Sequence, residues 1–481
     1  MNKKLVFIAV LALVFGMSAS AQMGFNETNN LFYHTLRTPQ SNLSNAAFFP
    51  TNNSFYLMLP GVDFQFGSPL ALNNVIYYDK PTQRTLINLD TIFHNLSENN
   101  TFRLGADVNI LGFGFKMKNM FFTFNTRMVN FINAALPVSA IRALVDGNVD
   151  QNGAPVPEVY LADGDILNVN SYLETALGAA YTFDPLNLTV GARIKLLYGI
   201  ANVQTDNTKI VFNTNSNFDS VSASVYYEIQ SSTFAPYDTS KHHMDVTMGN
   251  IFGNTNMGLS FDIGAKYEMG PFTFSFAIND LTAGIHWKNN VTTWRPDGGQ
   301  GVINFNGVNV TTILNSGDFN IDSLTTYLRN QISNMTPTRS QSGDYWFSVP
   351  TKINLGASYS FAKIFRAGLL LHGQLDRGLL CKKTGSDVSN TFRFNTTLSI
   401  GANLFNWAEV IAANSLVYDG SSFDPFNPGV GLVLTPATIV QLYLMADYIS
   451  NFYLVESKAF NIKFGLNILI GKGGRSVVTA E

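Results

Sequence analysis

The chain has 481 residues, 46% of them hydrophobic and only 13% charged, with a net charge of -3 at pH 7. Soluble domains carry about 25% charged residues; here Asn, Ser, Thr and Gly stand in for the missing charge, which argues against a wholly water-facing surface. A pI near 6.1 leaves no basic footprint for nucleic acid, and the single cysteine, Cys381, excludes an intrachain disulfide framework.

The first residues set the compartment. Lys3 and Lys4 form a basic start, an unbroken apolar run follows from Leu5 to Phe15, and Ala19-Ser20-Ala21 precedes Gln22. This order predicts an export signal over residues 1–21, because a spanning helix needs about 20 apolar residues and this run is shorter. Residues 22–53 come next. From Phe25 to Phe49 apolar and polar residues mix without a period of two, so no wall strand is expected there. Its Asn, Ser and Thr can satisfy polar groups inside a barrel. The segment is therefore expected to lie in the lumen as a plug; a disordered periplasmic tail is the competing reading.

From Phe55 onward the period is two. Leu186, Leu188, Val190, Ala192, Ile194, Leu196 and Tyr198 form one face of a strand. Asn187, Thr189, Gly191, Arg193 and Lys195 form the other, with Leu197 its only apolar exception. Phe392–Leu404 alternates in the same way, with Leu398 and Ile400 opposed to Arg393, Asn395 and Ser399. Phe460–Ile470 repeats the pattern and breaks it only at Leu469. Strands of a sandwich average about 5–6 residues, whereas a tilted strand needs about 9–11 to cross a membrane, and these match the latter. The polar face would fill the interior, the reverse of a soluble barrel; a large secreted β-sandwich is the rival.

Candidate strands lie near 55–66, 102–115, 119–131, 171–183, 186–199, 221–231, 257–269, 271–280, 347–361, 364–376, 391–405, 407–418, 428–435, 438–449 and 458–470. Bacterial single-chain barrels use even numbers, so one is surplus or one is missing. The prediction is an all-β, transmembrane antiparallel β-barrel of about fourteen strands (roughly 12–16) over residues 54–471, with a C-terminal tail at 472–481. Asp184-Pro185 and Gly270-Pro271 predict tight periplasmic turns; 132–170, 200–220, 232–256 and 282–346 predict extracellular loops or segments folded into the lumen. Ile321–Met335 and, more weakly, Leu86–Leu96 show helical spacing.

Asn45-Ala46-Ala47-Phe48-Phe49-Pro50 resembles the N-P-A-x-x-P opening of FadL-like and PorV-like outer-membrane barrels, with Ala46 in place of the usual Pro. Ala277–Asn289 and Val417–Gly431 also look like a Gram-negative family of such barrels. The resemblance spans most of the mature chain. It implies a lumen plugged by N-terminal residues, with Asn45, Phe48, Phe49 and Pro50 as plug residues. It also implies either uptake of hydrophobic small molecules or an accessory role in protein secretion or envelope assembly.

Chemistry-bearing motifs are scarce. His242-His243 would point apart on an extended chain, and no Cys or carboxylate pattern accompanies them. Asp146-x-Asn148-x-Asp150 imitates a calcium loop, but Gln151 holds the position of the required Gly and Pro157 that of the terminal acid. No G-x-S-x-G elbow or H-E-x-x-H is found. No metal or cofactor site is predicted, and the chain is read as not an enzyme. An outer-membrane hydrolase with Ser/His or Asp/His pairs across strands is the remaining enzymatic alternative. Trp287, Trp294, Trp346 and Trp407 are expected in interfacial girdles. The expected function is a FadL-like channel for hydrophobic small molecules in the cell outer membrane. Its alternative is a non-transporting barrel that serves a secretion-machinery protein. Outer-membrane lipid is the expected partner in either case.

Overall fold

The computed structural model describes residues 30–471, apart from stretches of which the longer are 93–98, 140–157, 215–220, 297–302, 307–336, 381–391 and 450–457. The expected export signal, the tail, the helix at 321–335, Cys381 and the Asp146 turn lie outside the described residues. So does most of the helix expected at Leu86–Leu96, whose first two residues instead end a short strand, Arg84–Ile87.

Fourteen antiparallel strands close into a barrel. They are β1 (Phe55–Gly67), β2 (Asn99–Met117), β3 (Met120–Pro137), β4 (Leu167–Phe183), β5 (Leu188–Thr214), β6 (Met257–Met269) and β7 (Phe272–Thr282). The circuit continues with β8 (Thr351–Phe361), β9 (Phe365–Leu375), β10 (Phe392–Leu404), β11 (Ala408–Tyr418), β12 (Phe423–Leu434), β13 (Val440–Asp447) and β14 (Ala459–Ile470). Closure comes from β14 on β1, with Phe55 opposite Ile470 and Gly67 opposite Ala459. Lys118 and Gly270, at φ 54 and 58, make the left-handed turns that reverse the chain within two residues.

The surplus strand is the one near 221–231. It forms Val221–Thr233, but it pairs with β5 above the wall and with the rim strands Thr292–Pro296 and Ile303–Asn306. β5 is 27 residues long, well over twice the roughly 9–11 a bilayer needs, so its upper part requires partners of its own. Parts of 132–170, 200–220 and 282–346, expected as loops, are accordingly ladder: Glu158–Gly164, the end of β5, and the pair Ile285–Trp287 with Tyr345–Phe347.

The two faces of the wall sort as the period demands. Leu177, Ile194, Leu259, Phe274 and Phe464 are exposed on the outside, and Leu398 is 57% exposed. Glu174, Arg193, Lys195, Asp262, Asn395 and Lys463 are buried inside. A water-soluble monomer does not expose so extensive an apolar belt; a lipid-facing barrel must. The exceptions to alternation are equally informative. Leu197 packs inside with Trp287 and Val129, and Leu469 packs inside with Phe49 and Phe121.

Substitutions on the two faces should fail by different routes. Leu398→Arg places a cation near mid-strand on the lipid side and should cost roughly 2–4 kcal/mol of folding into bilayers, read as a loss of the heat-modifiable gel form. Asn467→Arg faces inward, where Asn467 exchanges hydrogen bonds with Gln40 at 2.8 and 3.0 Å. By expelling the segment that Gln40 belongs to, it lets water reach the new cation, so it should leave assembly intact and raise small-solute leakage. Loss of the heat-modifiable band by Asn467→Arg would overturn this assignment of faces.

Candidate functional site

The segment from Asn30 to Pro50 runs inside the barrel, and nearly all its described residues are buried. It begins as a single helical turn, Asn30–His34, and continues through a 3-10 turn, Pro39–Leu43, set by Pro39 in its first turn. It makes no ladder with the wall and is held by side chains. Leu31 and Phe32 pack against Ile411, Val433, Tyr443 and Met445. The Lys463 ammonium lies 5.6 Å from the Phe32 ring centre. Thr35 donates to Glu409 at 2.6 Å, and Arg193 donates to the Asn42 carbonyl at 2.7 Å. Asn279 and Asn354 both donate to the Ser44 carbonyl at 2.9 Å.

The four residues picked out by the sequence are all buried here. The Asn45 side-chain amide donates to the Ala265 and Phe276 carbonyls at 3.2 Å, and its Oδ1 accepts from the Ala47 amide at 2.8 Å. Phe48 packs on Tyr33 and Leu370. Phe49 stacks on Phe121 at 4.4 Å, and Pro50 follows it in the buried run.

Inward-facing glycines make the seat. Gly191 and Gly264 face one another across β5 and β6, and the backbone of Asn45–Ala47 lies directly against both. Gly356 on β8 receives the Tyr33 ring, and Gly368 on β9 receives His34. Ser275, opposite Gly356, hydrogen-bonds the Tyr33 hydroxyl. A Cβ at Gly191 or Gly264 would overlap the plug backbone.

Ionised groups form a layer beside the plug. Arg127 donates to Glu174 through Nε at 3.1 Å and Nη2 at 3.0 Å. Glu174 lies 3.6 Å from Arg193 and 3.8 Å from Lys195. Lys195 reaches Asp262 at 2.9 Å and Asp280 at 2.7 Å, and Asp280 also accepts from Lys352 at 3.2 Å. With Asp107 at 3.7 Å from Arg127, these eight groups balance, four of each sign. Charges buried this deeply persist only when paired. Asp280 enters the lumen through a bulge: Asn279 and Asp280 together oppose Asp262, and Asp280 has φ 60.

Toward the long-loop end the inner wall turns apolar. Val129, Tyr172 and Leu197 of the wall meet Ile285, Trp287, Tyr345 and Phe347 of the rim in one buried cluster. Trp287 is thus a lumen residue and not part of a girdle. Trp346, on the opposite face of its strand, stacks on His286 at 4.2 Å. Two gaps beside the plug are each about 20 Å³, room for about one water molecule. Among the described residues no group of three His, Cys, Asp or Glu could hold a metal ion.

His34 is expected to make the seating of this segment depend on pH. Burial, and then the Arg366 guanidinium, holds its imidazole down to about 3 from 6.5. Between those values a released plug binds a proton that the docked plug does not, so docking is unaffected above pH 6.5 and weakens as pH falls. At pH 5 the loss is about 2 kcal/mol. Leakage through the reconstituted barrel should rise between pH 7 and 5, and His34→Gln should flatten that rise. A wild-type profile that is already flat would exclude His34 as its origin.

The alternation revealed which residues face inward, but not that those on seven strands meet in one ion network. The inward Gly191, Gly264 and Gly356 were a readable sign of close approach; what approaches them was not.

A family model described as "Family of unknown function (DUF5723)" matches residues 47–447. No curated protein matches the chain. Among solved structures, the TodX deltaS2S3 mutant monoaromatic hydrocarbon channel is 10% identical, with 95% of this chain and 97% of that one covered and a TM-score of 0.44. The toluene transporter TbuX of Ralstonia pickettii is 9% identical over 90% of this chain and 94% of that one, at a TM-score of 0.41. The toluene transporter TodX of Pseudomonas putida is 10% identical over 95% of each chain, at a TM-score of 0.38.

Proposed function

The chain belongs to the DUF5723 family, whose description fixes no activity, and we propose that it is an outer-membrane channel for hydrophobic small molecules, gated by its luminal N-terminal segment. One observation carries this reading: the described residues of 30–50 lie buried in the lumen and meet the wall through side-chain contacts and hydrogen bonds, with no strand pairing among them. The closed wall offers this segment no free strand edge, so besides its covalent link to β1 these contacts alone hold it in place. A segment held by separable bonds of about 0.5–1.5 kcal/mol each can be released and can return. The apolar outer belt supports membrane placement. The Trp287–Tyr345–Phe347 cluster at the long-loop end supports an apolar solute, because such side chains offer it dispersion contact while the Tyr345 hydroxyl is engaged by Asn202 at 2.6 Å.

With the segment docked, the two gaps beside it each have room for about one water molecule, and we read this arrangement as the closed state. Deleting Asn26 to Asn42 should leave a heat-modifiable barrel and raise the permeability of reconstituted vesicles. Uptake of a radiolabelled monoaromatic hydrocarbon, measured against a sugar of similar size, then tests the solute class. Faster passage of the hydrocarbon supports an apolar channel. Faster passage of the sugar alone would sink it, and unchanged permeability to both would sink the gate.

A further inference from the structure

Between the rim strand Val221–Thr233 and β6, Met248–Gly253 form one short helix whose apolar side chains point away from the protein. Met248 is 72% exposed and Phe252 84%, with Val246 and Ile251 exposed beside them. From Val246 to Gly253 there is no charged residue. The helix is nevertheless firmly held. Its capping box joins Thr247 and Asn250: the Thr247 hydroxyl accepts from the Asn250 amide at 3.2 Å, and the Thr247 amide donates back to Asn250 Oδ1 at 3.1 Å. Asn289 donates to the Gly253 carbonyl at 3.4 Å, and the Tyr198 hydroxyl donates to the Ile251 carbonyl.

Tyr198 locates the helix. It belongs to the outward row of β5 that carries Ile194 and Leu196, and it sits opposite Met257, the first residue of β6. The helix is therefore outside the wall, at the upper margin of the apolar belt, and its side chains continue the exposed surface of Leu196, Met257 and Leu259. His286, also opposite Met257, stacks on Trp346 and pairs with Asp344 at 2.6 Å. An aromatic group with a polar partner at this height is the chemistry of a membrane–water boundary.

We propose that this helix is an interfacial anchor: Val246, Met248, Ile251 and Phe252 insert among lipid acyl chains of the outer leaflet, and the helix lies along the membrane plane. The occupant is lipid because the surface is continuous with the lipid-facing belt and lacks the charge that would solvate it. The proposal rests on the membrane placement and not on the identity of any solute. Its geometric effect is to pin the height at which the long β5 and its rim strands leave the bilayer.

Spin labels test it in phosphatidylcholine vesicles. In a Cys381→Ser background, Phe252→Cys is labelled in one sample and Leu398→Cys, at mid-belt, in another. Both labels should collide more with oxygen than with a water-soluble nickel chelate. Nickel access at Phe252 alone would overturn the anchor and leave the membrane placement standing; nickel access at both would overturn the placement itself. Spectral broadening at Phe252 that grows with the protein-to-lipid ratio would mean that a second copy covers the helix, and it would also overturn the anchor.

Discussion

Gly264→Ala is expected to raise the conductance of the reconstituted barrel by shifting the plug from docked toward released by about a hundred-fold. The added methyl meets the Asn45 side-chain oxygen and lies 2.9 Å from the Ala46 amide, closer than a Cβ tolerates. The wall cannot retreat, because Gly264 is held in the ladder between Gly191 and Ala277. The plug must move instead. Doing so breaks the two bonds from Asn45 to the Ala265 and Phe276 carbonyls and the Ala47–Asn45 bond that shapes the turn. At about 1 kcal/mol each, their loss amounts to roughly 3 kcal/mol, and every 1.4 kcal/mol is tenfold. Gly401→Ala is the control, since a Cβ there finds its nearest neighbours at 3.7 and 3.8 Å, ordinary contact. Planar-bilayer recordings should show long open periods for Gly264→Ala and wild-type closure for Gly401→Ala. Identical traces for both would mean that Asn45 does not seat the plug.

Glu174→Gln should be the most destabilising single change in the lumen, at about 3–5 kcal/mol, the cost of leaving a buried charge uncompensated. Glu174 receives the paired Arg127 bonds and stands within 4 Å of both Arg193 and Lys195. Its neutralisation turns a balanced set into one with an excess positive charge, in a lumen where water has little room to compensate. Removing the partner as well should recover much of the loss, so Glu174→Leu with Arg127→Leu should unfold closer to wild type than Glu174→Gln alone. Urea-induced unfolding in detergent, followed by the heat-modifiable band, reads both. If the double variant is the less stable of the two, the ion pairs contribute more than apolar filling, and the argument from desolvation fails.

The amino-acid sequence by itself determined the wall. A period of two over ten or more residues decides which side of each strand meets lipid, and Leu186–Tyr198, Phe392–Leu404 and Phe460–Ile470 keep their predicted faces apart from the exceptions already visible, Leu197 and Leu469. It also made residues 25–49 legible as something other than wall, because the period is missing there. The surplus strand at 221–231 was beyond it: alternation shows that a segment is a strand, and only the ladder partners show whether it lies in the barrel or above it. The contents of the lumen were beyond it too. Arg127, Glu174, Arg193, Asp262, Asp280 and Lys352 lie far apart along the chain, and closure of the barrel brings them together. Periodicity is a local property of the backbone and survives in the sequence. Pairing across a closed lumen depends on strand order and register, which come into being only when β14 meets β1.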